Sequence, residues 1–108
     1  MIKVSECTTN TITIFMAGDI NVASNICRKY CMDIGQCVTI EPCDYIYTGG
    51  MEAGFRIGLI NYPRFPTRPD DLFKKAEELT DILLTACYQN RCTIQGMYTT
   101  YTYEKEKS

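Results

Sequence analysis

The chain has 108 residues, 45% of them hydrophobic and 22% charged, and its net charge is −2 at pH 7. A chain of this length is expected to form one domain, residues 1–108, that buries a core without cross-links. The slight negative charge excludes the basic field with which proteins bind nucleic-acid phosphates, so we expect no nucleic-acid partner.

The sequence also predicts where the protein is found. The first residues, MIKVSECTTNTIT, lack the apolar segment of a signal peptide. No apolar run approaches the roughly 18 residues that span a membrane. We therefore expect a cytoplasmic protein with no membrane partner. Residues 1–10 are interpreted as a flexible lead-in and residues 104–108 as a flexible charged tail.

Seven cysteines occur in the chain, an odd number, and no two of them form a CxxC pair. Reduced cysteines that pack as small core side chains are the favoured interpretation in a cytoplasmic protein. Zinc is the alternative, but the chain has no histidine and would have to supply cysteine ligands alone. The spacings Cys27-x3-Cys31 and Cys87-x4-Cys92 are not those of zinc knuckles, so we expect no metal.

The first half of the chain predicts a strand followed by a helix. Residues Thr11–Ala17 alternate in polarity, which is typical of a strand with one buried face. Asp19 is a suitable N-cap for a helix over Ile20–Ile34, where apolar residues recur at helical spacing. Gly35 stands where a helix is commonly terminated by a left-handed residue.

The middle of the chain predicts a hairpin. A second strand is expected over residues 37–48, and Pro42 makes it an edge strand or a bulged one. The turn is assigned to residues 48–54, a loop longer than two residues, and the third strand to the dense apolar run at 55–62. A bulge near Pro42 or Gly96 would place every later side chain of that strand on the opposite face of the sheet. The strand register beyond both residues is therefore left open.

The last third predicts a long helix over residues 69–90, with Pro69 in its first turn, and a final strand over residues 92–103. The order βαββαβ is that of the ferredoxin-like α+β fold. Right-handed crossovers then place both helices on one face of a four-stranded antiparallel sheet with strand order 4-1-3-2.

The other face of the sheet is aromatic, polar and nearly uncharged, a composition typical of protein interfaces. We favour a contact with a second copy or another partner over an ordinary solvated face. A single-stranded RNA platform is the weakest alternative, because Lys and Arg companions are few. The predicted partner-binding residues are Phe15, Tyr45, Tyr47, Glu52, Arg56, Ile60, Asn61, Arg64, Tyr98 and Tyr101.

Enzyme chemistry is not favoured by the sequence. Without histidine, acid–base catalysis would depend on carboxylates, Cys, Lys or Tyr. An acylphosphatase-like phosphate site after the first strand is rejected because Asp19 would repel the phosphate. A thiol enzyme ranks lowest, since the sequence offers only Lys or Arg to stabilise a thiolate and no signature surrounds any cysteine. We expect a non-enzymatic protein with no catalytic residues and no cofactor.

The segments TITIFMAGD and YTGGMEAGFRIGLINYPRFP, with the helix that follows, resemble small uncharacterised accessory proteins of tailed phages and prophages. The resemblance implies a protein of the bacterial cytoplasm that binds a host protein complex, with an anti-defence or anti-CRISPR inhibitor as its most concrete form. A homodimer through the open sheet face is expected. The alternative function is a small-molecule binder that holds a nucleotide-like signal between Phe15, Tyr45, Tyr47 and Arg56.

Overall fold

The computed structural model describes residues 1–106. Its strands form one antiparallel sheet with the order β2-β3-β1-β4-β5. The elements in chain order are β1 (Thr11–Ala17), α1 (Ile20–Ile34), β2 (Thr39–Tyr47), β3 (Gly50–Ile60), α2 (Pro69–Ala86), β4 (Arg91–Gln95) and β5 (Thr100–Glu104). Both helices pack on the same face of the sheet, which confirms the ferredoxin-like α+β fold.

The number of strands differs from the prediction. Residues 92–103 were expected to form one strand, but the chain reverses after Gln95, and β5 adds to the outer edge of β4. The amide of Gly96 donates a 2.9 Å hydrogen bond to the carbonyl oxygen of Thr99, which closes this turn. The predicted order 4-1-3-2 is therefore correct for the first four strands and gains a fifth at one edge.

The β2–β3 hairpin is tighter than expected. Tyr47 pairs with Gly50, so the connection contains two residues only, Thr48 and Gly49. Gly49 has φ of 90°, a left-handed conformation that glycine adopts without steric cost and that lets the chain reverse so quickly. The predicted longer loop at 48–54 is wrong, because residues 50–54 belong to β3. No register shift occurs at Pro42, which lies on the edge strand opposite Phe55.

The core lies between the sheet and the two helices. Alternate side chains of β1 and β3 point into it, and they meet the apolar stripe of α2. Burying each such side chain contributes about 1.5–3 kcal/mol to folding. Fully buried members include Ile14, Met16, Phe55, Ile57, Leu59, Leu72, Leu79 and Leu83.

Three of the seven cysteines, Cys27, Cys87 and Cys92, belong to this core, as expected for small apolar side chains. Burial raises the pKa of Cys27 to about 12 and that of Cys92 to about 11. Cys37, in contrast, is exposed.

The two ends of the chain are partly held by the folded body. The side-chain amide of Asn61 donates a 2.7 Å hydrogen bond to the carbonyl oxygen of Thr8 and accepts one of 2.8 Å from the backbone amide of Thr67. Glu104 ends β5, and the Lys105 amide bonds the carbonyl oxygen of Asn90 at 2.7 Å. Of the predicted tail, residues 107–108 lie outside the described part of the chain.

Candidate functional site

The sheet face away from the helices carries the side chains that the strand alternation predicted for β1, β2 and β3. In the register of the sheet, Phe15 of β1 lies between Arg56 of β3 and Thr93 of β4. Tyr45 lies opposite Glu52 in the β2–β3 hairpin. We call this surface the open face, because no element of the described chain packs over it.

The open face contains a cleft of about 610 Å³ where the hairpin extends beyond the end of β1. Ligand sites in proteins occupy roughly 300–1,000 Å³, so this volume suits a small molecule. One wall is the hairpin, the floor is the end of β1, and the opposite wall is formed by β4, β5 and the residues before β4. Its lining residues are Phe15, Met16, Ala17, Tyr45, Tyr47, Glu52, Gln89, Asn90, Arg91, Cys92, Thr93 and Thr102.

Tyr45 is fixed in the hairpin wall. Its hydroxyl donates a 2.7 Å hydrogen bond to the carbonyl oxygen of Phe55. Gly54 leaves the space that the ring occupies, since a Cβ there would lie 2.7 Å from the ring atom Cε2 of Tyr45. Desolvation and, after it, the neighbouring Cys43 thiol raise the pKa of Tyr45 above its ordinary value.

Tyr47 and Glu52 form a polar pair on the same wall, nearer the tip of the hairpin. The Tyr47 hydroxyl donates a 2.9 Å hydrogen bond to Oε1 of Glu52. This hydrogen bond is the main reason that the pKa of Tyr47 is raised. Both side chains are solvent-exposed, and the second oxygen of the carboxylate can therefore accept a hydrogen bond or face a cation from a ligand.

The opposite wall is polar and carries a positive charge. Nη2 of Arg91 lies 3.1 Å from Oε1 of Glu104, its partner in the β4–β5 register. The hydroxyl groups of Thr93 and Thr102, which are also paired across these strands, belong to the same wall. The cleft therefore has a carboxylate, Glu52, on one side and a guanidinium, Arg91, on the other.

The structure brings four of the predicted binding residues together in this cleft: Phe15, Tyr45, Tyr47 and Glu52. Arg56 lies on the same face outside the cleft lining and pairs with Glu41 at 3.1 Å. Ile60 is farther along β3, opposite Thr11 at the other end of the face.

The remaining predicted residues lie elsewhere. Asn61 anchors the N-terminal segment, and Arg64 is an exposed residue of the connection to α2. Tyr98 is 95% exposed in the turn between β4 and β5. The expectation that Tyr101 lies on the open face is wrong, because the turn at Gly96 places it opposite Ile94 with its ring 5.3 Å from that of Phe73.

The second wall of the cleft was not predicted from the sequence. The residues concerned are Gln89, Asn90, Arg91, Thr93 and Thr102. Gln89 and Asn90 were assigned to the end of a helix, and Arg91 was assigned to no element. A turn signal at Gly96 was present, and reading it as a chain reversal would have placed the last two strands side by side. Among residues 1–106 no three Cys, Asp or Glu side chains are grouped as metal ligands.

No protein-family model matches the sequence, and no curated protein matches it. Solved structures do match the fold along nearly the whole chain. A phage SAM lyase in its apo state superposes with a TM-score of 0.69 at 17% identity, covering 92% of this chain and 91% of the other. A phage SAM lyase in complex with S-methyl-5'-thioadenosine gives a TM-score of 0.65 at 10% identity, covering 98% and 97%.

These comparisons correct the predicted function. The expectation of a non-enzymatic protein, whether an anti-defence binder or a receptor for a nucleotide-like signal, is contradicted because both neighbours are enzymes, SAM lyases. The anti-CRISPR and inhibitor roles find no support among them. The resemblance to phage proteins agrees with the comparisons, since both neighbours are phage proteins.

Within residues 1–106, neither helix has the length and apolar character needed to span a membrane.

Proposed function

We propose that this protein is a phage-type lyase that cleaves SAM, S-adenosylmethionine, and that its substrate binds in the cleft of the open face. The observation that carries the proposal is the combination of aromatic rings and a single carboxylate, Glu52, in the cleft of a fold that phage SAM lyases share. A shared fold supports a function only when the site suits the chemistry.

The hairpin wall and the floor suit a sulfonium ligand. Aromatic faces attract organic cations by roughly 0.5–2 kcal/mol, more when water is excluded. Phe15, Tyr45 and Tyr47 supply such rings, and the carboxylate of Glu52 adds a full negative charge beside them. The same rings give an adenine base apolar surfaces to stack against.

The reaction needs little from the protein beyond orientation and charge. The bond between the sulfonium sulfur and the γ-carbon of the methionine part breaks, and the sulfur keeps the electron pair as neutral S-methyl-5'-thioadenosine. The carboxylate of the substrate attacks the γ-carbon as the sulfur leaves and closes a lactone. Charge balances without any proton transfer, which agrees with a chain that has no histidine.

Water must be kept out of such a site, because hydrolysis would compete with ring closure. The cleft is open in one chain, and we propose that a second copy covers the open face, as expected for the predicted homodimer.

The protein would work in the cytoplasm of a phage-infected bacterium, where SAM is available. A host-protein partner forms no part of this proposal.

The test is to incubate the purified protein with SAM and follow the products by mass spectrometry and proton NMR. We expect S-methyl-5'-thioadenosine and a lactone, with no olefinic signals and no oxygen from ¹⁸O-labelled water in either product. Glu52→Gln should lower kcat/KM by about tenfold or more, since it removes a charge next to the reacting cation.

Asp44→Asn is the matched control, because Asp44 lies in the same hairpin but points to the other face of the sheet, and it should retain activity. Unchanged SAM after prolonged incubation, at protein concentrations high enough for dimers, would refute the proposed function.

A further inference from the structure

Arg91 is the cationic side chain among the lining residues of the cleft. It lies on the wall opposite Glu52, two residues before Thr93 and therefore on the same side of β4. Its guanidinium is held by Glu104 at 3.1 Å, while the side chains of the pair remain 72% and 54% exposed. An arginine that is oriented by one strand partner and still open to the cleft is suited to receive an anionic ligand group.

The pairing with Glu104 does not prevent such binding. An exposed ion pair contributes about 0–1 kcal/mol, so its rearrangement costs little. A guanidinium has five N–H donors in a planar fork, and one contact with Glu104 leaves others for a second carboxylate. The ligand group that matches this geometry best is a carboxylate, of which one oxygen can accept charge-assisted hydrogen bonds from the free N–H groups of the fork.

The charges of the two walls correspond to those of the substrate class. A SAM molecule carries positive charge at its sulfonium and ammonium groups and negative charge at its carboxylate. Glu52 on the hairpin wall suits the cationic groups, and Arg91 on the β4 wall suits the carboxylate. S-methyl-5'-thioadenosine contains neither the ammonium group nor the carboxylate.

We infer that Arg91 is the positioning and specificity residue that binds the substrate carboxylate, an inference that rests on the proposed function. One carboxylate oxygen would bind the guanidinium while the other is directed at the γ-carbon. The nucleoside product has no group for Arg91, so its affinity should not depend on this residue. Arg91 thus distinguishes sulfur-containing nucleosides that carry an amino-acid chain from those that do not.

The test compares two ligands that the enzyme does not cleave. S-adenosylhomocysteine has the carboxylate but no sulfonium, and S-methyl-5'-thioadenosine lacks the carboxylate. Isothermal titration calorimetry with wild type, Arg91→Gln and Arg91→Lys gives the Kd of each ligand. Arg28→Gln, which removes the same charge from the exposed face of α1, is the matched control, and circular dichroism checks that every variant is folded.

We expect Arg91→Gln to weaken S-adenosylhomocysteine by about tenfold or more and S-methyl-5'-thioadenosine by less than about twofold. Arg91→Lys should recover part of the loss, and KM for SAM should rise more in Arg91→Gln than in the control. An equal loss for both ligands, or no loss for either, would overturn the role of Arg91 alone. A wild-type protein that binds neither ligand and leaves SAM intact would instead refute the proposed function.

Discussion

The ring of Tyr45 lies over Gly54 so closely that a Cβ at this glycine would be 2.7 Å from the ring atom Cε2. The hydroxyl of the same ring reaches the carbonyl oxygen of Phe55, the next residue along β3. A side chain at the base of the protruding hairpin is therefore locked against the strand that it pairs with. We consider this contact to be what holds the hairpin wall of the cleft in place.

Gly54→Ala should destabilise the protein by about 1–3 kcal/mol, the usual cost of overpacking a close contact. The added methyl group would collide with the backbone carbonyl of Met16 as well as with the Tyr45 ring. Urea unfolding followed by circular dichroism measures the change. Gly50→Ala, in the same strand, meets only the exposed Tyr47 ring and should cost less. Equal stabilities of the two variants would contradict the proposed packing.

Tyr45→Phe keeps the ring and removes the hydroxyl group. We expect a loss of about 1 kcal/mol in the free energy of unfolding, the typical value for one hydrogen bond. Because the hairpin wall then loses its anchor, S-methyl-5'-thioadenosine should also bind more weakly. Chemical denaturation and calorimetry give the two quantities. A variant with wild-type stability and affinity would show that the hydroxyl group does not position the wall.

Phe15→Ala should weaken S-methyl-5'-thioadenosine by about tenfold, because removing an aromatic stacking partner costs about 1–3 kcal/mol per base. The fold should tolerate the change, since Phe15 is only half-buried and lies on the open face. Thr13→Ala, on the same strand and face but outside the cleft lining, is the control. Calorimetric titration of both variants decides the matter, and an equal effect in both would exclude Phe15 from the site.

Stability should fall as the pH rises above 9. Burial raises the pKa of Cys27 to about 12 and of Cys92 to about 11, so the folded protein keeps protons that the unfolded chain loses. The contribution of these two thiols to the free energy of unfolding is therefore fully present below pH 9. Above pH 9 the free energy of unfolding declines by at most about 1.4 kcal/mol per pH unit for each thiol.

Urea midpoints at pH 8, 9 and 10 measure this decline. A double variant, Cys27→Ala with Cys92→Ala, should have a shallower pH dependence than wild type. Cys37→Ala should not, because Cys37 is exposed. A pH dependence that is the same in all three proteins would rule out the buried thiols as its source.

Much of the fold could be predicted because its signals are local. The alternation in β1 and the capped apolar stripe of α1 predicted both elements with the bounds that the structure has. The hairpin and the final strand were mispredicted for a physical reason. A glycine can lie within a strand or at a turn where the chain reverses direction. Which of the two occurs depends on the neighbouring strands with which the chain can pair, and that pairing is a long-range property.

The candidate site also has one part that local sequence signals predict and one part that depends on long-range strand pairing. Its hairpin wall and floor follow largely from strand alternation, which is local, and Phe15, Tyr45 and Tyr47 were predicted from it, whereas Glu52 was assigned to the turn. The wall with Arg91 exists only because β5 folds back on β4 and holds that side chain through Glu104. The proposed enzymatic function could not be predicted, since no single segment carries a catalytic motif. The prediction that residues 1–108 form one domain remains a prediction.

The most direct test of the central claim is to titrate ¹⁵N-labelled protein with S-methyl-5'-thioadenosine and record amide chemical shifts. We expect the largest changes in residues 15–17, 45–54 and 89–93, around the cleft of the open face. Changes confined to the opposite face, around Phe73 and Tyr101, or no changes at millimolar ligand, would contradict it.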